Sequence, residues 1–538
     1  MNRQPYLEAV RDRVIVFDGA FGTFVQDLDL GPADFGGESL EGCNEMLCLT
    51  RPDVIESMHR AFLDAGVDVI ETASFGSFST VLVEYNIPEK AYELNVAAAA
   101  IARRVADTYE VDGRPRYVAG SIGPGTKLPS LGHIDFATLR DSYEEQARGL
   151  LDGGSDLFLI ETCMDLLQIK AAMQACRRAM KSVGREVPIQ VQVTMETTGR
   201  MLVGSEIGAA LTAISAMKPD VFGINCATGP AEMQEHLRYL SQNASMPISV
   251  LPNAGLPSIV DGRTHYDLTP AELAKFHHHH VHDLGIGIVG GCCGTTPAHL
   301  KAVVDAVSGM AAPKRTPIDE PSVASIYSSV PMVQDKSFLI IGERTNTNGS
   351  KAFRDAMIAG EWDNCSKIAT EQIREGAHVL DVCVDYVGRD GAIDMDEIAS
   401  RFATQASVPL VLDSTEPQVL EAGLMHIGGR AILNSANLED GEEVGCRMDR
   451  VFSLAREYGC AVICLLIDEK GQARDVEWKL EIAHRIHRIA VDRYGLSASD
   501  LIFDALTFPL STGDDDLRLD AKHTIDAIKR IKDQKKTI

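Results

Sequence analysis

Short β-branched runs alternate with helical stretches along nearly the whole chain, and this narrows the possible folds more than any other feature. Such alternation is the pattern of a parallel sheet whose strands are joined by crossover helices. Strands are expected at Val14–Phe17, Val67–Ile70, Tyr117–Ala119, Leu157–Ile160, Ile189–Val193, Val221–Ile224, Ile248–Leu251 and Ile286–Val289. Amphipathic stretches such as Pro52–Ala65, Leu139–Asp152 and Asp165–Lys181 lie between them. Eight such units in roughly 300 residues match the size of a (β/α)8 barrel. The stretch Ala311–Met332, rich in proline and serine, breaks the pattern and reads as a linker. A second alternation follows, with strands at Phe338–Ile341, Val379–Leu380, Leu410–Leu412, Ala431–Leu433, Ala461–Ile467 and Leu501–Phe503, then a helical stretch from Leu519 to about Lys535. The expected fold class is therefore α/β, two (β/α)8 TIM-type barrels in tandem. A closed barrel needs about eight strands, so the second reads as incomplete after six and the chain as a piece of a longer protein. The expected domains are 1–310 and 336–538, with 311–335 between them.

Barrel enzymes build their sites from the loops that follow the strands. Those positions carry Asp18-Gly19-Ala20, Glu71-Thr72, Ser121-Ile122-Gly123-Pro124, Glu161-Thr162, Glu196, Asn225-Cys226, Asn253 and Gly290-Gly291-Cys292-Cys293. Any one of them is equally well explained as a loop start or a helix cap. Polar groups at nearly every strand end point instead to a catalytic face.

The cysteines need their compartment settled first. The N-terminus, MNRQPYLEAVRDR, has charges where a signal peptide needs its apolar stretch, and no apolar run approaches the ~18 residues of a membrane span. A cytoplasmic protein is expected, whose twelve cysteines are reduced thiols or metal ligands. The 51 Lys plus Arg against 77 Asp plus Glu leave a formal charge of −26, which disfavours nucleic acid or an anionic membrane as partner.

Cys226 ends the sixth strand, and Cys292 and Cys293 end the eighth. Three thiolates at one barrel mouth are a natural zinc site, and three protein ligands leave the fourth position open, as catalytic zinc requires. A free thiol has a pKa near ~8.5, and a metal deprotonates it outright. Such a site therefore activates a thiol for attack. A Cys-Cys pair alone would read as buried packing; Cys226 at an independent strand end changes that. Cys43, Cys48, Cys163 and Cys176 read as core or loop residues, and the run His277–His280 with His282 as helix surface.

The motifs DGAFGT (18–23), EGCNEML (41–47), ETASFGS (71–77), GSIGPGTK (120–127), GINCATGP (223–230) and GGCCGTTP (290–297) resemble the homocysteine S-methyltransferase family. The resemblance spans most of residues 1–310. It implies zinc on Cys226, Cys292 and Cys293, with Asn253 a displaceable fourth ligand and Asp18 and Glu161 fixing the amino acid part of homocysteine. Two carboxylates at a barrel mouth also suit an ammonium group on chemical grounds.

In the second run, IIGERTNTNGSKAF (340–353), LDVCVDYVGRD (380–390), PLVLDST (409–415), ILNSAN (432–437), LLIDEKGQA (465–473) and IFDALTFPLSTG (502–513) resemble the pterin-binding methyltransferase domain of the cobalamin-dependent methionine synthases. That likeness implies methyltetrahydrofolate on Asp381, Asn434 and Asp504, with Asp413 a further member. Carboxylates and amides are the groups that pair with the donor–acceptor edge of a pterin. Ala505 departs from the family pattern, where proline commonly follows the last aspartate. The implied cycle moves a methyl group from 5-methyltetrahydrofolate through methylcobalamin, on a module in cis or in trans that this chain lacks, to zinc-bound homocysteine, giving methionine. Two other readings stay open: a stand-alone thiol methyltransferase using betaine or a sulfonium donor, and a non-catalytic module that docks folate or a corrinoid protein.

Overall fold

A computed structural model of the chain describes residues 3–26, 28–110, 114–260, 263–507 and 518–533, and it divides into two compact units, Met1–Asp319 and Glu320–Ile538. In the first unit the parallel strands are β1 (Ile15–Val16), β2 (Val69–Glu71), β3 (Tyr117–Ile122), β4 (Leu157–Cys163), β5 (Ile189–Val193), β6 (Val221–Asn225) and β7 (Ile248–Leu251). After a short antiparallel hairpin, β8 (Ser258–Val260) and β9 (Arg263–His265), comes the eighth barrel strand, β10 (Ile288–Val289). Hydrogen-bonded neighbours follow the order β1-β10-β7-β6-β5-β4-β3-β2. A parallel bridge from Phe17 to Val69 joins the two ends, so the sheet closes into a (β/α)8 barrel.

The strands are buried almost end to end, as expected where helices cover a parallel sheet. The sequence also sets the helix boundaries. Asp165 accepts from the Leu167 amide at 2.9 Å to start helix Leu166–Val183, and Gly184 ends it in the left-handed region. The N-terminal helix Tyr6–Asp12 plugs the end of the barrel opposite the strand termini that carry the polar residues. Tyr6 packs edge-on against Tyr117 and donates to Gln190 Oε1 at 2.8 Å, within a core that includes Val69, Leu157, Val221 and Ile288.

The second unit opens with an antiparallel hairpin, β11 (Ser322–Ala324) and β12 (Ser329–Pro331), inside the stretch expected to be linker. Its parallel strands are β13 (Ile341–Gly342), β14 (Val379–Val382), β15 (Leu410–Asp413), β16 (Ile432–Ala436) and β17 (Ala461–Leu465). A second hairpin, β18 (Ile467–Asp468) and β19 (Gly471–Gln472), precedes β20 (Leu501–Asp504). The sheet order β13-β14-β15-β16-β17-β20 is the arc of a second barrel, with six strands among the described residues. The β11–β12 hairpin closes its lower end: Val323 joins Val379, Val411, Ile432 and Ala461 in one core. The first strand is shorter than expected because Phe338 lies in solvent, 89% exposed, where an apolar run alone had suggested sheet. Among the described residues no helix is long and apolar enough to cross a membrane.

Candidate active site

Cys226 follows β6 directly, and its backbone takes a left-handed turn with φ of +60° at Cys226 and +57° at Ala227. L-residues pay for that conformation, and it clusters at functional sites. The turn is held by Cys226 N donating to Leu251 O at 3.1 Å and Thr228 N donating to Cys226 O at 2.7 Å. Cys292 and Cys293 follow β10, where Cys292 N donates to Pro252 O at 2.8 Å. Gly294 closes this turn at φ +77°, and a Cβ there would meet the Tyr266 ring at 2.3 Å, so no other residue fits. The three sulfurs come together: Cys226 Sγ lies 3.9 Å from Cys293 Sγ, and all three lie within 4.8 Å of one another. Among the described residues this is the group whose ligand atoms are close enough to share a metal ion. Hydrogen bonds from Cys226 and then Cys292 pull the Cys293 thiol down to about 3, while the same partnerships push Cys292 well up.

The cysteines form one wall of a cavity of about 350 Å³ at the strand ends. Glu161 lines it, buried, with Ser121 Oγ donating to Oε1 at 2.6 Å and Asn225 Nδ2 donating to Oε2 at 3.2 Å. Burial pushes Glu161 up to about 7, against the Ser121 hydrogen bond that lowers it. Glu71 lines the same cavity, and its buried Oε1 has no hydrogen-bond partner. Burial raises Glu71 well above the usual carboxylate range, and the charges of Glu161 and Asp18 add to that. Asp18 lies beneath the cavity and does not line it; both its oxygens accept from the Glu71 amide, at 3.2 and 3.1 Å. Asn253 is equally buried, and its Oδ1 accepts from Cys293 N at 3.1 Å, which orients the cysteine loop. Phe21, Phe75 and Tyr266 supply apolar walls, and Asn44 and Glu45 a polar rim. Glu71 was visible in the sequence only as one more strand-end carboxylate; its unpaired oxygen in the cavity sets it apart.

The histidine run departs from the expectation of a helix surface. His278, His279 and His282 lie outside, but His277 and His280 are fully buried, because a helix packed on a barrel turns every third or fourth side chain inward. Cys43, Cys48, Cys163 and Cys176 are all buried.

In the second unit Asp381, Asp413 and Asn434 lie on adjacent strands, with Asp413 in register with Asn434. Asn346, on the loop after β13, bridges the two carboxylates: its Nδ2 donates to Asp381 Oδ2 at 2.7 Å and to Asp413 Oδ2 at 3.2 Å. No spacing rule marked Asn346, although it stands inside a motif already singled out. Burial pushes Asp381 up to about 7 and Asp413 up to about 6, with neighbouring carboxylates adding to each. Asp504 ends β20, two strands beyond β16, and is exposed; its Oδ1 accepts from Leu506 N at 2.8 Å.

Residues 15–307 match the family model described as homocysteine S-methyltransferase, and residues 342–538 match that described as pterin binding enzyme. Over 526 residues the chain is 52% identical to methionine synthase of Mycobacterium tuberculosis, covering 98% of this chain and 44% of that protein. It is 50% identical over 531 residues to methionine synthase of Mycobacterium leprae, with the same 98% and 44% coverage. The chain therefore spans less than half the length of these curated relatives. Among solved structures, the metallated form of the homocysteine methyltransferase MmuM from Escherichia coli aligns at 20% identity with a TM-score of 0.45, covering 55% of this chain and 98% of that one.

Proposed function

The chain belongs to the homocysteine S-methyltransferase family of methyltransferases, and from that premise we propose that it methylates the thiol of L-homocysteine to give L-methionine, with 5-methyltetrahydrofolate as the methyl source and a cobalamin-bearing module as its partner. The observation that carries the reading is the convergence of Cys226, Cys292 and Cys293 on one wall of a cavity that also holds the carboxyl groups of Glu161 and Glu71. The donor set fits zinc: three soft thiolates at two strand ends, open on the cavity side. When bound, zinc would supply the positive charge that keeps a substrate sulfur ionised at neutral pH.

The chain's own residues do the rest. Glu161 and Glu71 receive the substrate ammonium, whose charge offsets the desolvation that holds both carboxyls high and, at Glu71, the added charges of Glu161 and Asp18. Ser121 and Asn225 fix Glu161 in place, and Asp18 fixes the Glu71 backbone from below. Phe21 and Phe75 pack the substrate's methylenes and keep water from the sulfur. Asn253, by holding Cys293 N, is a positioning residue for the thiolates.

For the second unit we propose that Asp381, Asp413, Asn434 and Asp504 bind the pterin edge of methyltetrahydrofolate, with Asn346 setting the spacing of the first two. This division of labour follows the two units, with the β11–β12 hairpin, inside the stretch 311–335 expected to be linker, part of the second, and we propose a cytoplasmic setting for both. The test is a parallel assay of homocysteine methylation with free methylcobalamin, methyltetrahydrofolate and betaine, alongside metal analysis. Methylation by methylcobalamin, lost with zinc in Cys292→Ala, is the expected result. Methylation by betaine alone, or full zinc content in both Cys292→Ala and Cys226→Ala, would overturn the reading.

A further inference from the structure

The two buried histidines of helix Pro270–His282 lie in a continuous hydrogen-bonded chain between the two loops that supply the cysteines. At one end His277 Nε2 lies 2.7 Å from the carbonyl oxygen of Gly290, which leaves β10 two residues before Cys292. His277 Nδ1 lies 3.4 Å from His280 Nδ1, the rings meeting edge to face at a centroid distance of 5.4 Å. His280 Nε2 lies 2.8 Å from Gln234 Nε2. Gln234 Nε2 also donates, at 3.0 Å, to the carbonyl of Pro230, four residues after Cys226.

The protons follow from the ends inward. A carbonyl only accepts, so His277 carries its proton on Nε2 and presents Nδ1 as an acceptor. His280 must then carry its proton on Nδ1 and present Nε2 as an acceptor. The Gln234 amide has two N–H groups, one for His280 and one for Pro230. Each ring nitrogen of His277 and His280 is satisfied once, with both imidazoles neutral, and the direction of donation is fixed from Gln234 to Gly290. The outward histidines take no part: His279 and His282 pair with Asp283.

We infer that His277, His280 and Gln234 are positioning residues that set the separation of the Cys226 loop from the Cys292-Cys293 loop, and so the zinc affinity of the three thiolates. The inference rests on the zinc reading of those cysteines. Groups that hold a metal's ligands in place from behind commonly change its affinity by about 10–100-fold when removed.

The experiment is zinc competition against a chromophoric chelator on the full chain. His277→Leu, which cuts the chain beside Gly290, should weaken zinc about tenfold, and His277→Gln, which keeps a donor for Gly290, should recover most of that loss. Gln234→Leu, at the half-buried end, should weaken zinc in the same direction if His277→Leu does not fold. The His277→Leu, Gln234→Leu double variant should lose no more than the worse single, because one chain is cut only once. Wild-type affinity in the folded leucine variants, or no recovery in His277→Gln, would overturn the inference. A Cys292→Ala protein that binds zinc as tightly as wild type would instead overturn the zinc reading on which it stands.

Discussion

At the scale of single residues, burial holds the carboxyls of both sites above the ordinary carboxylate range. Glu71 and Glu161 face the same cavity, but Glu161 has two hydrogen-bond partners and Glu71 Oε1 has none. The unpartnered oxygen is the one with an interaction left to give. Glu71→Gln is therefore expected to raise the KM for homocysteine about tenfold, ~1.4 kcal/mol, with kcat little changed. The same substitution should not alter the KM of a thiol that lacks the amino group, and steady-state kinetics with both substrates checks this. Asp381 gives a pH prediction. Its carboxyl is pushed up to about 7, first by burial and then by the charge of Asp413, so below that pH the free site holds a proton. Pterin N–H donors need the ionised form. Affinity for methyltetrahydrofolate should thus fall about tenfold per pH unit as pH drops below about 7, and Asp381→Asn should flatten the curve. The raised value favours the folded state at acid pH, fully so below the ordinary carboxylate range near ~4. That contribution is lost as pH rises through about 7, so Asp381→Asn should also reduce the alkaline fall in stability of the second unit.

At the scale of elements, both units solve one problem in different ways: the lower end of a barrel must be stoppered. The first unit uses helix Tyr6–Asp12, anchored by the Tyr6–Gln190 hydrogen bond. The second uses the β11–β12 hairpin, where Ala324 and Arg430 exchange backbone hydrogen bonds of 3.1 and 2.8 Å. Arg430 also donates to Ser322 O at 2.8 Å and forms a buried ion pair with Asp500. The hairpin approaches so closely that a Cβ on Gly429 would lie 2.1 Å from Ala324 O. Gly429→Ala should cost about 2–3 kcal/mol of the second unit's stability, read as a lower midpoint in its denaturant unfolding. The first unit's transition should not move. Ala311–Met332 gave no hint of this role, because proline and serine content marks a linker whether or not the segment folds back onto a core.

At the scale of the whole molecule, each unit has its own core, so calorimetry should resolve two transitions. Stripping zinc with a chelator should lower the first alone, and methyltetrahydrofolate should raise the second alone. The eight-strand and six-strand runs were legible because a parallel strand buried on both faces must be a continuous β-branched stretch, and that signal is local. The cysteines were legible for a related reason: Cys226 and Cys292-Cys293 fall directly after strands, and strand ends in a barrel share one face. What the sequence could not carry is anything decided by which side of an element meets which neighbour. Five histidines in six residues look alike in a string, yet two face the barrel and join the cysteine loops while three face water. Glu71 and Asp18 look like two equal strand-end acids, yet one opens into the cavity and the other lies beneath it. Periodicity and strand-end chemistry are written in adjacent residues; inward facing, pairing and burial depend on contacts between residues far apart in the chain, and these exist only once the barrel has closed.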